Sequence, residues 1–401
     1  VGTSGDAGTS GDPGTPGRPG VDDVLAVLRG VVDPELGSDV VDLGMVGDVS
    51  VAADGTVTVP VALTVASCPL RAQIERDVTS RVAGMPGVAA VDLVITEMGA
   101  EQKAEVMARA RWIAREHPPD TSVPPGARVL AIASGKGGVG KSSITVNLAV
   151  ALAARGHTVG VLDADIWGFS IPRLLGMAGG VEARGGKMLP LEQHVGTGIL
   201  RVLSMGFLAD EERAIMWRGL VLNRAVQQFL QDAHWDDLDY LLIDLPPGTG
   251  DVQMGLARLL PRTEMLVVTT PPAAAQRVAA RAADMARRGY LRVAGVIENM
   301  SDFTCEHGTT YALFGSGGGT RLAADLGVPL VGRIPLHPDM AREGDAGTPV
   351  ALGSGPLASA FAELADRVAT DVAPVIETSG CTARLLERVE AAVASGTSTG
   401  S

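Results

Sequence analysis

Eight consecutive residues, Gly135-Lys136-Gly137-Gly138-Val139-Gly140-Lys141-Ser142, fit the pattern G-x-x-x-x-G-K-S. Glycines at these places let the backbone wrap an anion, so that successive N–H groups and the start of the following helix face it. In that chemistry Lys141 reaches the outer phosphates, the Ser142 hydroxyl ligates Mg²⁺, and Ser143 continues the cradle. ATP and Mg²⁺ are the expected ligands. The same residues also satisfy G-x-G-x-x-G through Gly135, Gly137 and Gly140, and Asp163 ends the next strand, roughly where a dinucleotide fold places its ribose acid. A dinucleotide motif requires neither Lys141 nor Ser142, and this decides for the phosphate loop.

Two further acidic positions stand at strand ends. Asp244 closes the apolar run Tyr240-Leu-Leu-Ile and precedes Leu245-Pro-Pro-Gly-Thr-Gly-Asp251. A phosphate-loop protein places there the acid that orients Mg²⁺ and its waters; the alternative role is a helix cap. Asp163-Ala-Asp165 lies on the same sheet edge, where Asp165 suits an attacking water or merely a solvated turn.

These residues need a scaffold. Short apolar runs at 128–133, 158–163, 199–203, 239–244, 264–269, 293–298 and 328–331 alternate with helical patterns, one of them Ser142 to Arg155. Such alternation predicts an α/β domain over 127–375 with a mostly parallel sheet between helices. A smaller α+β domain is expected over 21–98: a helix from Val21 to Val32, a strand from Val57 to Val65, a helix from Leu70 to Val82 and a strand from Val91 to Thr96. Residues 99–126 read as a helix, Glu101 to Glu116, followed by a Pro-rich linker. Residues 1–20 are nearly devoid of apolar side chains and are expected to be disordered; 376–401 read as a short helix and a flexible tail.

Composition narrows the partners. The 401 residues carry a net charge of -13, which argues against nucleic acid, since duplex binding needs clustered Lys and Arg. No apolar run is long enough to span a bilayer, and no secretory signal is visible, so a cytoplasmic location without membrane contact is expected. Two of only four lysines, Lys136 and Lys141, sit in the glycine loop. Where arginine is the usual cation, a lysine marks a place that suits a compact, flexible ammonium.

With its extra lysine at Lys136, the glycine loop resembles the deviant P-loop of the MinD/ParA/nitrogenase-iron-protein superfamily. Segments Asp163-Ala-Asp-Ile-Trp-Gly-Phe-Ser-Ile-Pro172, Ser204-Met-Gly-Phe207, Trp217-Arg-Gly219, Asp244 to Asp251 and Glu298-Asn-Met-Ser301 resemble a narrower group, the Mrp/ApbC iron–sulfur cluster carriers. Asp33-Pro-Glu35, Asp42-Leu-Gly44 and Ala66-Ser-Cys-Pro-Leu70 are similar to the small iron–sulfur assembly domain often fused before that ATPase. The resemblance implies an ATPase that works as a homodimer switch and passes clusters, [4Fe–4S] by expectation, to apo iron–sulfur proteins. It implies that Lys136 reaches the partner's ATP and that Asn299 contacts adenine. The rival reading is a MinD- or ParA-type positioning ATPase without a cluster. That reading asks for a basic membrane helix or a basic DNA face; the last helical stretch, Thr382 to Val393, balances two Arg with two Glu.

The carriers of this group usually show C-x-x-C after Asn-Met-Ser. Here the segment reads Asp302-Phe-Thr-Cys305-Glu-His307-Gly308, with one cysteine in place. Cys305 and His307 are the candidate cluster ligands, because imidazole replaces thiolate in some cluster sites; the other reading is a surface loop. Cys68, expected at a helix start, is either an activated thiol or a buried small side chain. Cys381 is expected to be structural.

Overall fold

The computed structural model describes residues 18–33, 36, 38–63, 71–116, 121–165, 168–207, 219–248 and 251–375. Cys68, Cys381, Trp217 and the expected helix Thr382–Val393 lie outside the described residues.

The larger unit is built on eight strands: β1 (Arg128–Ser134), β2 (Thr158–Asp163), β3 (Leu191–Val195), β4 (Gly198–Ser204), β5 (Tyr240–Asp244), β6 (Glu264–Thr269), β7 (Arg292–Asn299) and β8 (Leu330–Ile334). They lie in the order β3-β4-β2-β5-β1-β6-β7-β8. Every pairing is parallel except β3 with β4. β1, β5 and β6 are buried along their whole length, as strands covered on both faces must be, and this is why they read as unbroken apolar runs. One face packs on the helices Lys141–Ala153 and Pro356–Arg367, the other on Gly219–Asp232 and Ala273–Arg288.

The fold class is therefore α/β with a mostly parallel sheet. The seven expected strands are present with ends shifted by a residue or two, and the last runs further, to Ile334. β3 was not expected. It alternates half-buried and exposed residues at the sheet edge and includes Glu192, Gln193 and His194, so its apolar signal is weak.

The smaller unit has a parallel pair, Thr56–Leu63 and Ala90–Glu97, joined by the helix Arg71–Ala83. Along Thr56–Leu63 every second residue is buried; Val57, Val59 and Val61 meet Ile74, Val78 and Val82 of that helix. The first helix ends at Leu28, short of the expected Val32, because the chain turns at Arg29–Gly30 and enters a short strand at Val32–Asp33.

The Pro-rich stretch is no loose tether where it is described. Ser122 N–H donates to Leu230 O at 2.7 Å and its hydroxyl to Ala233 O at 2.6 Å. Arg262 donates to the carbonyls of Val123 and Pro124, and Val123 is buried.

The two units meet at the edge of the sheet where β1, β6 and β7 begin. Arg128, the first residue of β1, forms a double ion pair with Asp77 of the small unit, 2.9 and 3.2 Å. Arg81 of the same helix reaches Arg262 O at 2.6 Å and Glu264 at 3.8 Å. Burial acts most strongly and raises the Asp77 carboxyl, but the charge and hydrogen bonds of Arg128, with the Arg81 charge and a Gln73 hydrogen bond, together outweigh it and hold the group below its usual range.

Candidate functional site

The phosphate loop leaves β1 at Ser134 and re-enters regular structure at Lys141, the first residue of the helix Lys141–Ala153. Gly138 and Gly140 take φ +77° and +81°, values that a side chain disfavours. At Gly135 the constraint is space. A Cβ there would stand 2.2 Å from the backbone carbon of Val278, because the loop rests against the helix Ala273–Arg288. The Ser134 hydroxyl donates to Lys136 O at 3.0 Å and fixes the backbone, while the Lys136 side chain stays exposed. Lys136 to Ser143 line a cavity of about 550 Å³, together with Asp165 and Pro246.

Asp244, fully buried at the end of β5, organises the floor. Its carboxylate takes the Lys141 ammonium at 2.7 Å, the Ser142 hydroxyl at 2.6 Å and the Thr145 hydroxyl at 2.9 Å. Asp165 stands 3.8 Å from Lys141 Nζ. Burial raises its carboxyl above the usual range, and the lysine charge works against that rise.

Sequence reasoning missed two members of the site. Thr145 is one, a turn beyond the motif on the inner face of the helix. Asp163 is the other as an anchor, since it was weighed only as a ribose acid. It is fully buried and accepts from Ser204 Oγ at 2.9 Å, Asp165 N at 3.1 Å and Ile171 N at 3.4 Å. It thus ties the Asp165 turn to β4. Burial, and then the Asp244 charge, push Asp163 up to about 7. Phe169 of the same turn packs against Gly206, where a Cβ would meet the ring at 2.5 Å. Ser204-Met-Gly-Phe207 is thereby explained as the seat of the turn. The signal was in the sequence, as a serine and a glycine spaced two apart at a strand end.

Asn299 ends β7 and is buried. Its amide donates to Val139 O of the phosphate loop at 2.8 Å. Met300 then takes φ +54°, and Ser301 N–H is held by Ile334 O at 3.0 Å. From this bend the chain enters a hairpin, Phe303–Thr304 with Thr310–Tyr311, whose turn carries Cys305 and His307. Cys305 is half-buried and His307 exposed. Hydrogen bonds from the His307 and Thr309 amides draw the Cys305 thiol below its usual range. Among the described residues no three His, Cys, Asp or Glu side chains gather into a metal site. The structure brings Lys141, Ser142, Asp165 and Asp244 together, and sets Cys305 and His307 apart from them on the hairpin.

The donor set fits Mg²⁺. A hydroxyl and a buried carboxylate face the cradle, hard oxygen ligands of the kind the ion takes alongside phosphate and water.

Comparison with known proteins agrees with this geometry. Residues 126–369 match the family of NUBPL iron-transfer P-loop NTPases, and residues 21–110 match an iron–sulfur cluster assembly family. The chain is 45% identical over 338 residues to the iron–sulfur cluster carrier protein of Mycobacterium tuberculosis, covering 82% of this chain and 88% of that one. It is 40% identical over 344 residues to the carrier of Synechocystis, covering 85% and 94%. Among solved structures, an ADP complex of a nucleotide-binding protein from Archaeoglobus fulgidus is 35% identical, with a TM-score of 0.49, over 58% of this chain and 90% of that one. The phosphate loop, its buried acid and the family matches across both units place the chain in the Mrp/ApbC family of iron–sulfur cluster carriers, deviant P-loop ATPases behind an N-terminal iron–sulfur assembly domain.

Proposed function

We propose that the chain works as a homodimer whose ATP-dependent closure controls a cluster shared between two Cys305 hairpins, for delivery to apo iron–sulfur proteins. The observation that carries this reading is the Asn299 hydrogen bond to Val139 O. It links the phosphate loop to the strand end from which the cluster hairpin departs. A rearrangement of the loop around a nucleotide is felt at the base of that hairpin. Asn299 then acts from beneath the loop, and adenine contact is a further role for the same side chain.

The site residues divide the work. Loop amides and Lys141 take the phosphate charge. Asp244 and Lys141 form an ion pair that an incoming phosphate competes for, so binding frees the carboxylate toward the Ser142 side. Mg²⁺, held through Ser142 with Asp244 behind it, would screen the phosphates and polarise the transferred group. Asp165, held by Asp163, orients water. Lys136, exposed on the loop, is free to reach the nucleotide of a second chain. The cluster is cargo. One thiolate and one imidazole from each hairpin give a Cys₂His₂ set across a two-fold axis, a ligand set seen in some clusters.

The test is anaerobic reconstitution with iron and sulfide of wild type, Cys305→Ala, His307→Ala and Cys68→Ala. Iron should fall at least several-fold in Cys305→Ala and partly in His307→Ala. Undiminished iron and sulfide in Cys305→Ala would remove the hairpin from the account.

A further inference from the structure

The seam between the two units carries more positive charge than it pairs. Among the described residues, Arg81, Arg128, Arg262 and Arg292 lie together there, against the carboxylates of Asp77 and Glu264. Arg128 takes Asp77, and Glu264 is shared by Arg81 at 3.8 Å, Arg128 at 3.5 Å and Arg292 at 2.9 Å. Arg262 donates only to carbonyls, and burial together with the Arg81 charge push it down to about 10. The Nε atoms of Arg81 and Arg262 are buried without a hydrogen-bond partner, and so is Glu264 Oε2. Guanidiniums taken from water are costly unless paired and hydrogen-bonded, so such an excess calls for a further anion.

Arg81 and Arg292 of this group, but neither Arg128 nor Arg262, reach a cavity beside the seam. It measures about 210 Å³ and opens between the helices Val21–Leu28 and Arg71–Ala83 of the small unit and the helix–strand junction 287–293 of the ATPase unit. Arg81 and Arg292 line it, with Arg18 and Arg287. Its one acid, Asp23, is engaged by Tyr290 Oη at 2.9 Å and by Gly20 N at 2.9 Å. The remaining walls are apolar, with Val27, Met85, Leu291 and Val293 among them. In a chain of net charge -13 this concentration of arginine in one cavity stands apart from the surface at large. The volume is below the roughly 300–1,000 Å³ of pockets for drug-sized molecules, which excludes a nucleotide. Guanidiniums suit carboxylate or phosphate oxygens in paired, planar contacts.

We propose that this seam cavity binds a small organic anion, a carboxylate or phosphate head on a short apolar body, which clips the assembly-type unit to the ATPase sheet. The head meets Arg81 and Arg292, and the body meets Met85 and Leu291. The site lies at the opposite sheet edge from the phosphate loop, and β7 runs from Arg292 to Asn299 beneath that loop. An occupant would therefore stiffen the strand that carries the cluster hairpin.

Thermal unfolding of the full chain tests this, with Mg-ADP present so that the phosphate loop is filled. Hexanoate and inorganic phosphate are compared with chloride at equal ionic strength, in wild type, Arg292→Gln and the cavity-mouth variant Arg18→Gln/Arg287→Gln. Either probe should raise Tm of wild type by several degrees beyond chloride, and the gain should vanish in Arg292→Gln and shrink in the mouth variant. A response to phosphate alone assigns the head group, and one to hexanoate alone assigns a carboxylate. Equal stabilisation by chloride, or a gain that survives in both variants, would overturn the proposal. The mouth variant keeps the test valid if Arg292→Gln fails to fold. The shift produced by Mg-ADP itself should be the same in all three chains.

Discussion

Asp244 sets the residue-scale behaviour of the site. Lys141, Ser142 and Thr145 converge on one buried carboxylate, so changes at these positions are expected to act together rather than additively. Lys141→Ala should lower kcat by at least about 10²-fold, with nucleotide affinity reduced, because the phosphate charge loses its closest cation. Asp244→Asn keeps the shape and removes the charge; its magnesium titration should move to higher concentration, read as ATPase rate against free Mg²⁺. An unchanged titration would return Asp244 to a structural role beneath the helix. The phosphate-binding half of the site was legible because backbone geometry forces its composition: two left-handed residues and a close approach at Gly135 leave only glycine. Thr145 and the anchoring role of Asp163 were harder to read, because the side chains they bond, Asp244 and Ser204, are distant in sequence, and only the parallel register of β2 and β4 sets Ser204 beside Asp163.

At the scale of elements, the buried strands declared themselves by composition, and the edge strand β3 did not. The hairpin at Cys305 was equally hidden, since a two-residue ladder has no periodicity to detect. One element offers a clean electrostatic test. The turn after Ser38–Asp39 is held by Asp39, which accepts from the amides of Val41 and Asp42. Burial, reinforced by the Asp42 charge, pushes Asp39 up to about 6. A folded value above the unfolded one means that the folded state binds the extra proton. The stability so gained is complete below the unfolded carboxylate value and is lost as pH rises through about 6. Asp39→Asn preserves an acceptor and abolishes the titration. Its stability should therefore vary less between pH 4 and pH 7 than that of wild type, measured by urea unfolding across that window. Parallel pH profiles for the two chains would show that Asp39 does not titrate as argued.

At the scale of the whole molecule, the sheet presents two working edges. The carboxyl ends of β1, β2, β5 and β7 hold the candidate nucleotide residues, and the amino ends of β1 and β6 hold the small unit through Arg128 and Glu264, with Arg292 at the start of β7 pairing Glu264. β1 spans both edges in seven residues, about 20 Å at the usual rise. Docking at the far edge was invisible in the sequence, where Asp77 and Arg128 look like ordinary surface charges. Asp77→Ala leaves the Arg128 guanidinium buried and half-paired, and should cost about 3–5 kcal/mol. Calorimetry should show this as a lowered Tm of the ATPase transition, and a Tm within a degree of wild type would mean the units are not coupled there.

The proposed function requires that two chains share one cluster under the control of nucleotide. Sedimentation of the reconstituted protein, with iron counted on the sedimenting species, tests it most directly. With Mg-ATP, wild type should sediment as a dimer carrying about two irons per chain, as a four-iron cluster bridging two hairpins requires. Lys136→Ala should bind ATP yet lose the nucleotide-dependent shift toward dimer, and with it hydrolysis. A monomer that retains a full cluster, or a Lys136→Ala chain that dimerises and hydrolyses as wild type does, would contradict the account.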